Sequence, residues 1–309
     1  MTAGEVRLIA NPLAGGGRAL RHANIAMRVL AGAGLACRLD LPESAAATRE
    51  ATRRAAADGA AAILACGGDG TVHTVLQELV GTPVPLGIIA GGSGDDVAAA
   101  LGFPTGDSGE VMAGAVVASL RSGLVRNVDL AHVRTADGGV HYFLGVLSTG
   151  FDSNVNERAN AMSRLGGHRY NVAIVRELAS FRPLAYQVNI DGEAIDRAGM
   201  LVSVGNGPRY GGGMLVCPSA RVDDGVLDVT WLGEVSKATF LRVLPTVFKG
   251  THVRHPSVRT YRGRRIDIAA PGQIAYADGE RLGPLPVSIE VRPGALRVLS
   301  ARPAGEDVA

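Results

Sequence analysis

Short apolar runs alternate with longer amphipathic stretches through the first hundred residues. Residues 5–10, "EVRLIA", are rich in branched side chains and stop at Asn11-Pro12, which predicts a strand ended by a turn. A glycine loop follows, and then a helical pattern from about Arg18 to Leu30, closed by Gly32 and Gly34. The same order recurs. "LACRLDL", "AAILAC" and "LGIIAG" read as strands, while residues 44–59, "VHTVLQELVG" and "GSGDDVAAALGF" read as helices or helix starts. Ser44 is placed to cap the second helix and Gly59 to end it. Strand–helix alternation at this spacing predicts a parallel, doubly wound sheet.

After residue 128 the pattern changes to strand pairs around turn dipeptides. Residues 127–150 read as two strands about Asp137-Gly138-Gly139, and residues 184–207 as another pair about Asp191-Gly192. "VLDVTWL", "RRIDIAA", "QIAYADGE", "VSIEVRP" and "ALRVLSA" continue the strand series. Two helical patterns interrupt it, at roughly 156–180 and 237–250. The expected organisation is an α/β domain over 1–128 and an antiparallel β domain over 129–293.

Composition narrows the class. The 309 residues are 47% hydrophobic and only 4% aromatic, so the core is built from Ala, Val, Leu and Ile. A net charge of +2 argues against nucleic-acid binding through bulk electrostatics. Cys37, Cys66 and Cys217 are scattered and odd in number, which predicts free thiols in a reducing compartment. There is no signal-peptide pattern and no apolar run near 18 residues; the expectation is a cytoplasmic protein.

Three glycine-rich segments each follow a predicted strand: "NPLAGGG" (11–17), "CGGDGT" (66–71) and "GGSGDDVA" (91–98). In open α/β sheets, ligands bind where strands end and helices begin. Glycines let backbone N–H groups approach a phosphate, and a helix N-terminus adds its positive end. Asp69 then has no place as a phosphate ligand on its own, and makes sense beside a metal or a substrate hydroxyl. The alternative reading is a plain strand–helix turn with Asp69 as a cap. Similarly, "DDG" at 223–225 and "DG" at 278–279 read locally as turns.

In order, "NPLAGGG", "GGDGTVHTVLQEL", "LGIIAGGSGDDVAAALG", "VDLAHV", "STGFDSNV", "GNGPRYGGGMLVCPSARVDDGVLDV", "KGTHVRHPSV" and "YADGE" span nearly the whole chain. This set resembles the diacylglycerol kinase catalytic-domain family, especially its soluble bacterial lipid kinases, related to sphingosine and ceramide kinases. The resemblance implies an N-terminal nucleotide domain like that of NAD kinase and phosphofructokinase, and a β-sandwich-like C-terminal domain. It also implies ATP in the cleft between them, and a chain end (294–309) that returns to the first domain. By the same resemblance Asn11, Pro12, Gly15, Gly68, Asp69, Gly70 and Thr71 hold ATP phosphates, with Ser93 at the usual Thr position. Asp69, Asp96 and Asp129 correspond to an Asp–water–Mg²⁺ network. Asp224, with the carbonyls of Arg221 and Val226, corresponds to a second, structural Mg²⁺ loop. Glu280 or Asp278 corresponds to the catalytic base, a role given to the aspartate of the glycine loop, here Asp69, in sphingosine kinases. Asp95 departs from the family's usual Asn and brings an additional negative charge towards the phosphates.

The activity so implied is ATP- and Mg²⁺-dependent phosphorylation of a hydroxyl on diacylglycerol, a sphingoid base or a related lipid. The enzyme would be cytoplasmic and would meet its lipid at the inner membrane face; a homodimer is left open. Lys249, Arg254, Arg259, Arg262, Arg264 and Arg265 form a basic run that suits anionic headgroups or simply a solvated face. Three other readings stay open: an NAD kinase, a non-catalytic nucleotide- or lipid-binding regulator, and a structural module.

Overall fold

The computed structural model describes residues 4–106, 108–162 and 169–300. The chain forms two compact units. One holds the residues up to Leu130 together with those from Pro293 onward; the other is Ala131–Arg292.

In the first unit, strands β1 (Val6–Ala10), β2 (Cys37–Asp40), β3 (Ala62–Gly67) and β4 (Leu86–Ala90) alternate with helices. The helices are α1 (Arg18–Gly32), α2 (Ala45–Ala57), α3 (Asp69–Leu76), α4 (Asp96–Ala100) and α5 (Gly109–Ser122). The strands are parallel in the order β2-β1-β3-β4. Every residue of β1, β3 and β4 is buried. Strands buried along their whole length need a sheet covered on both faces. Ser44 caps α2, its hydroxyl accepting the Ala47 N–H at 3.1 Å. Helix α5 has no counterpart in the sequence reading, and α4 has only five residues.

The chain passes between the units twice, inside strands β5 (Val125–Thr135) and β15 (Val287–Leu299). The end of β15 lies parallel to β4, with Val298 opposite Leu86.

The second unit contains β6 (Val140–Phe143), β7 (Val146–Gly150), α6 (Phe151–Ala161), α7 (Arg169–Ser180), β8 (Leu184–Ile190) and β9 (Glu193–Gly205). It continues with β10 (Leu227–Gly233), α8 (Lys237–Val243), β11 (Val258–Gly263), β12 (Arg265–Ala269), β13 (Ile274–Ala277) and β14 (Glu280–Pro284). Its strand pairs are antiparallel, and the main path runs β14-β13-β7-β9-β8-β12-β15. The core beneath this sheet includes Tyr186, Val202, Val229, Trp231, Ile266 and Ile289. A second cluster joins Phe151, Phe181 and Phe240, whose rings meet at 5.4 and 4.5 Å.

Three expectations change in detail. The pattern at 156–180 is two helices, α6 and α7; residues 163–168 lie outside the described set. The pattern at 237–250 is α8 followed by a 3-10 segment, Leu244–Lys249, because Pro245 lacks the N–H that would continue the α-helix. "VSIEVRP" and "ALRVLSA" are one strand, β15, that runs through Pro293-Gly294. Among the described residues, no helix is long and apolar enough to cross a membrane.

Candidate functional site

The three glycine segments come together at the C-terminal ends of β1, β3 and β4, and the contact between them is backbone against backbone. Gly91 N–H donates to Gly67 O at 3.0 Å, and Asn11 N–H donates to Cys66 O at 3.3 Å. A methyl group on Gly15, which sits at φ 58°, would lie 2.1 Å from Gly91 O. One on Gly68 would lie 2.9 Å from the Gly92 Cα. These positions are glycine because neighbouring loops occupy the space a side chain needs. The resulting edge carries the starts of α1, α3 and α4, and helix starts present unpaired N–H groups to an anion.

The side chains at this edge do different jobs. Asn11 Oδ1 accepts the Leu13 N–H at 3.0 Å and shapes the turn around Pro12. Asp69, the first residue of α3, accepts the Val97 N–H at 2.9 Å, so it caps α4. Gly70 follows within α3, its carbonyl accepting the Thr74 hydroxyl at 2.8 Å. Thr71 N–H donates to Gly68 O at 2.9 Å, and Ser93 is exposed. Asp96 is buried at the first turn of α4. Asp129 is buried in β5 and accepts the Gly294 N–H at 2.8 Å.

Asp95 resolves a sequence puzzle. It adopts the left-handed conformation, φ 57°, and turns its carboxylate back to accept the Gly92 N–H at 2.8 Å. Burial pushes this carboxyl up, while the Gly92 N–H and the Arg18 guanidinium act in the opposite direction. The additional acid is therefore used inside the loop, and Arg18 at the start of α1 offsets its charge.

Among the described residues no group of three or more His, Cys, Asp or Glu is gathered closely enough to hold a metal ion by itself. The Asp69–Val97 bond does bring Asp69 beside the helix start that carries Asp96. Two oxygen donors of this kind suit Mg²⁺, which takes few carboxylates and completes its shell with water and substrate phosphates.

In the second unit the "DG" turn separates its two acids. Asp278, at φ 50°, is buried and accepts the Leu144 N–H at 3.1 Å and the Gly145 N–H at 2.9 Å, one on each oxygen. Asn206 supports the same segment, donating to Leu144 O at 3.0 Å. Asp278 thus holds the Leu144–Gly145 backbone in place. Glu280, two residues on, opens β14 and is exposed.

The "DDG" turn carries a guanidinium at its acid. Arg262 pairs with Asp224 and also reaches the buried Asp228 at 3.3 Å. Asp228 in turn accepts the Ser219 hydroxyl at 2.7 Å, and Asp224 Oδ1 accepts the Val226 N–H at 3.3 Å. A divalent ion on Asp224 and the carbonyls of Arg221 and Val226 would share that carboxylate with Arg262, which holds Oδ2 while Oδ1 faces the Val226 N–H. Local sequence could not show this partner, which comes from β11.

One feature was not singled out from sequence. An apolar cavity in the second unit encloses about 490 Å³ of empty space, counting the solvent at its mouth. Leu201, Val216, Leu232, Phe240, Val243 and Leu244 are among its walls. Its polar lining includes Asp152, Tyr210 and His252. Tyr210 donates to Asp152, and burial pushes the Asp152 carboxyl up to about 6. His252 is pushed down by burial; its Nε2 lies 3.1 Å from Val216 O, and its Nδ1 has no hydrogen-bond partner among the described residues. Because the carbonyl only accepts, Nε2 carries the proton and Nδ1 presents a lone pair.

Comparison with known proteins decides the family. Residues 5–133 match the diacylglycerol kinase catalytic domain, and residues 145–300 match the YegS C-terminal NAD kinase beta sandwich-like domain. A diacylglycerol kinase from Mycobacterium tuberculosis is 39% identical over 301 residues, covering 97% of this chain and 96% of that protein. The chain belongs to the diacylglycerol kinase catalytic-domain family. A Yersinia pestis family member named "Probable lipid kinase YegS-like" is 29% identical over 244 residues, 76% of this chain and 77% of its own length. The fold agrees with that of the family. The crystal structure of a diacylglycerol kinase from Bacillus anthracis superposes with a TM-score of 0.70 at 20% identity, covering 97% of each chain. An NAD kinase from Archaeoglobus fulgidus, solved with ATP, superposes with a TM-score of 0.57 at 14% identity, over 96% of this chain and 94% of that one.

Proposed function

We propose that this chain is an ATP-dependent lipid kinase that transfers the γ-phosphoryl group to a hydroxyl of diacylglycerol, a sphingoid base or a related lipid. The observation that carries the reading is the convergence of three glycine loops and three helix starts on one sheet edge, in a chain of this family. Backbone N–H groups of the loops around Gly15, Gly68 and Gly70 hold the phosphates, assisted by the Thr71 and Ser93 hydroxyls. Asp69 and Asp96, with Asp129, would hold Mg²⁺, which when bound neutralises charge on the β- and γ-phosphates. The lipid hydroxyl oxygen forms a bond to the γ-phosphorus, and the bond from that phosphorus to the ADP oxygen breaks. The hydroxyl proton would pass to a carboxylate base, for which the family resemblance offers Glu280 or Asp278, with Asp69 as the alternative. In a loose phosphoryl transfer that proton moves late, so positioning and charge neutralisation supply most of the acceleration.

The apolar cavity supports a lipid acceptor over NAD. Its walls are mostly aliphatic and aromatic, which suits an alkyl chain rather than a nucleotide. The enzyme would be cytoplasmic and take its lipid from a membrane surface. The test is incubation of purified protein with labelled ATP, Mg²⁺ and a panel of lipids in micelles, with NAD in a parallel tube. A labelled lipid is the expected product. Labelled NADP without any lipid product would replace this reading with that of an NAD kinase.

A further inference from the structure

Helix α8 and the 3-10 segment after it are apolar on two faces. The inner face is accounted for: Phe240, Val243, Leu244 and Val247 line the cavity. The outer face carries Leu241, Pro245 and Phe248, spaced at i, i+4 and i+7, all three exposed. Leu241 is 52% exposed and Phe248 54%. A surface helix should have one apolar stripe, so a second one, turned outward, needs an occupant.

Charge indicates which occupant. Between Glu234 and Asp267 the sequence has no acidic residue. Arg242 follows Leu241 and Lys249 follows Phe248; both are exposed, as is Arg254 in the next 3-10 turn. Among the described residues none of these three cations makes an ion pair, whereas Lys237, at the start of α8, donates to Ala179 O. Exposed apolar side chains flanked by unpaired cations match a bilayer with anionic headgroups, where the apolar groups enter the acyl boundary and the cations meet phosphates.

We propose that the outer face of α8 and its 3-10 extension docks the protein on an anionic membrane surface, with Leu241 and Phe248 inserted and Arg242, Lys249 and Arg254 on the headgroups. This deepens the lipid-kinase reading and rests on it for its purpose. The segment that meets the bilayer is also a wall of the apolar cavity, so a lipid chain has a short path from membrane to cavity. Each basic side chain near such a surface contributes about fivefold in partitioning.

The experiment is co-sedimentation of the full chain with phosphatidylglycerol or phosphatidylcholine vesicles, free of nucleotide. Wild type should partition onto the anionic vesicles, weakly onto the zwitterionic ones, and should be released by high salt. The double variant Leu241→Glu/Phe248→Glu should lose at least tenfold in partitioning with an unchanged melting temperature. Arg242→Gln/Lys249→Gln should lose binding to anionic vesicles selectively. Val111→Glu, an exposed apolar position of α5, should bind as wild type does. Wild-type binding by the double variant, or no vesicle binding by wild type, overturns the proposal. So does a wild-type oligomer, seen by light scattering, that the double variant dissolves, since the face would then join two copies. Vesicle binding needs no chemistry. If it is found while no lipid is ever phosphorylated, the kinase reading fails and the docking surface stands.

Discussion

Asp69 Oδ1 accepts the Val97 N–H at 2.9 Å, so the acid of one glycine loop caps the helix that begins at the next. This bond ties the C-terminal ends of β3 and β4 together and fixes the direction of Asp69. It also separates two contributions of one residue. Asp69→Asn keeps an acceptor oxygen and should fold with wild-type stability, yet lose lipid phosphorylation and slow ATP hydrolysis together. Asp69→Ala should in addition lose about 1 kcal/mol of stability, the usual cost of removing a cap. Thermal melts beside single-turnover assays check both. An Asn variant with full activity would show that the charge at 69 is not used in the reaction.

The two acids of the "DG" turn should respond in opposite ways. Asp278→Ala strands two buried backbone N–H groups and should cost roughly 2–4 kcal/mol. Glu280→Gln should leave melting and nucleotide affinity unchanged while lowering lipid turnover by about 10²–10⁴. Calorimetry with nucleotide and a lipid assay separate these outcomes. A Glu280→Gln enzyme of wild-type rate would move the proton acceptor to Asp69.

Arg262 lies where a structural cation on Asp224 would compete with it. Arg262→Ala should destabilise the fold by about 1–2 kcal/mol, since it leaves the buried Asp228 without its guanidinium; partial exposure of the arginine limits the loss. Wild-type melting, measured without nucleotide, should not respond to Mg²⁺ or to its chelation. A melting temperature that rises with Mg²⁺ in wild type and not in Asp224→Ala would instead place a divalent ion at that turn.

Asp152 predicts a pH dependence of stability. Its carboxyl is pushed from 3.8 up to about 6 by burial, against the Tyr210 hydrogen bond. The folded state therefore binds this proton more tightly than the unfolded chain does. The contribution is fully present below about pH 4 and is lost as pH rises through about 6. Asp152→Asn keeps the acceptor for Tyr210 and removes the charge. It should raise stability at pH 8 by on the order of 2 kcal/mol and change little at pH 4. Denaturant melts at the two pH values measure this; an equal effect at both would remove Asp152 as the cause.

The strand–helix alternation before residue 100 was legible because β1, β3 and β4 are buried along their whole length, which leaves runs that are apolar apart from Arg7. Helix α5 was missed for the opposite reason. Its sequence, GEVMAGAVVASLRS, is Gly-, Ala- and Val-rich with charges only near its ends, so no polar stripe marks its period. Its cap was the available signal: Ser108 Oγ accepts the Val111 N–H. The glycine loops were legible as motifs because backbone proximity demands glycine at fixed places. Arg18 beside Asp95, Arg262 on Asp224, and the grouping of Asp152, Tyr210 and His252 were not legible. Each joins residues distant in sequence, and each residue type is ordinary on its own.

Strand β15 has a consequence for how this protein is made. Leu296 and Val298 are fully buried in the first unit, Gly81 N–H donates to Ala295 O at 3.0 Å, and Gly294 N–H reaches Asp129. None of these contacts can form until the whole of the second unit has been translated. Most of the first unit leaves the ribosome early, yet it waits with an unfilled sheet edge beside β4 for a strand synthesised much later. Such an edge is open to pairing with other chains. During synthesis the vulnerable interval is therefore set by the length of the inserted unit, and a fragment ending at Leu130 would keep that open edge permanently.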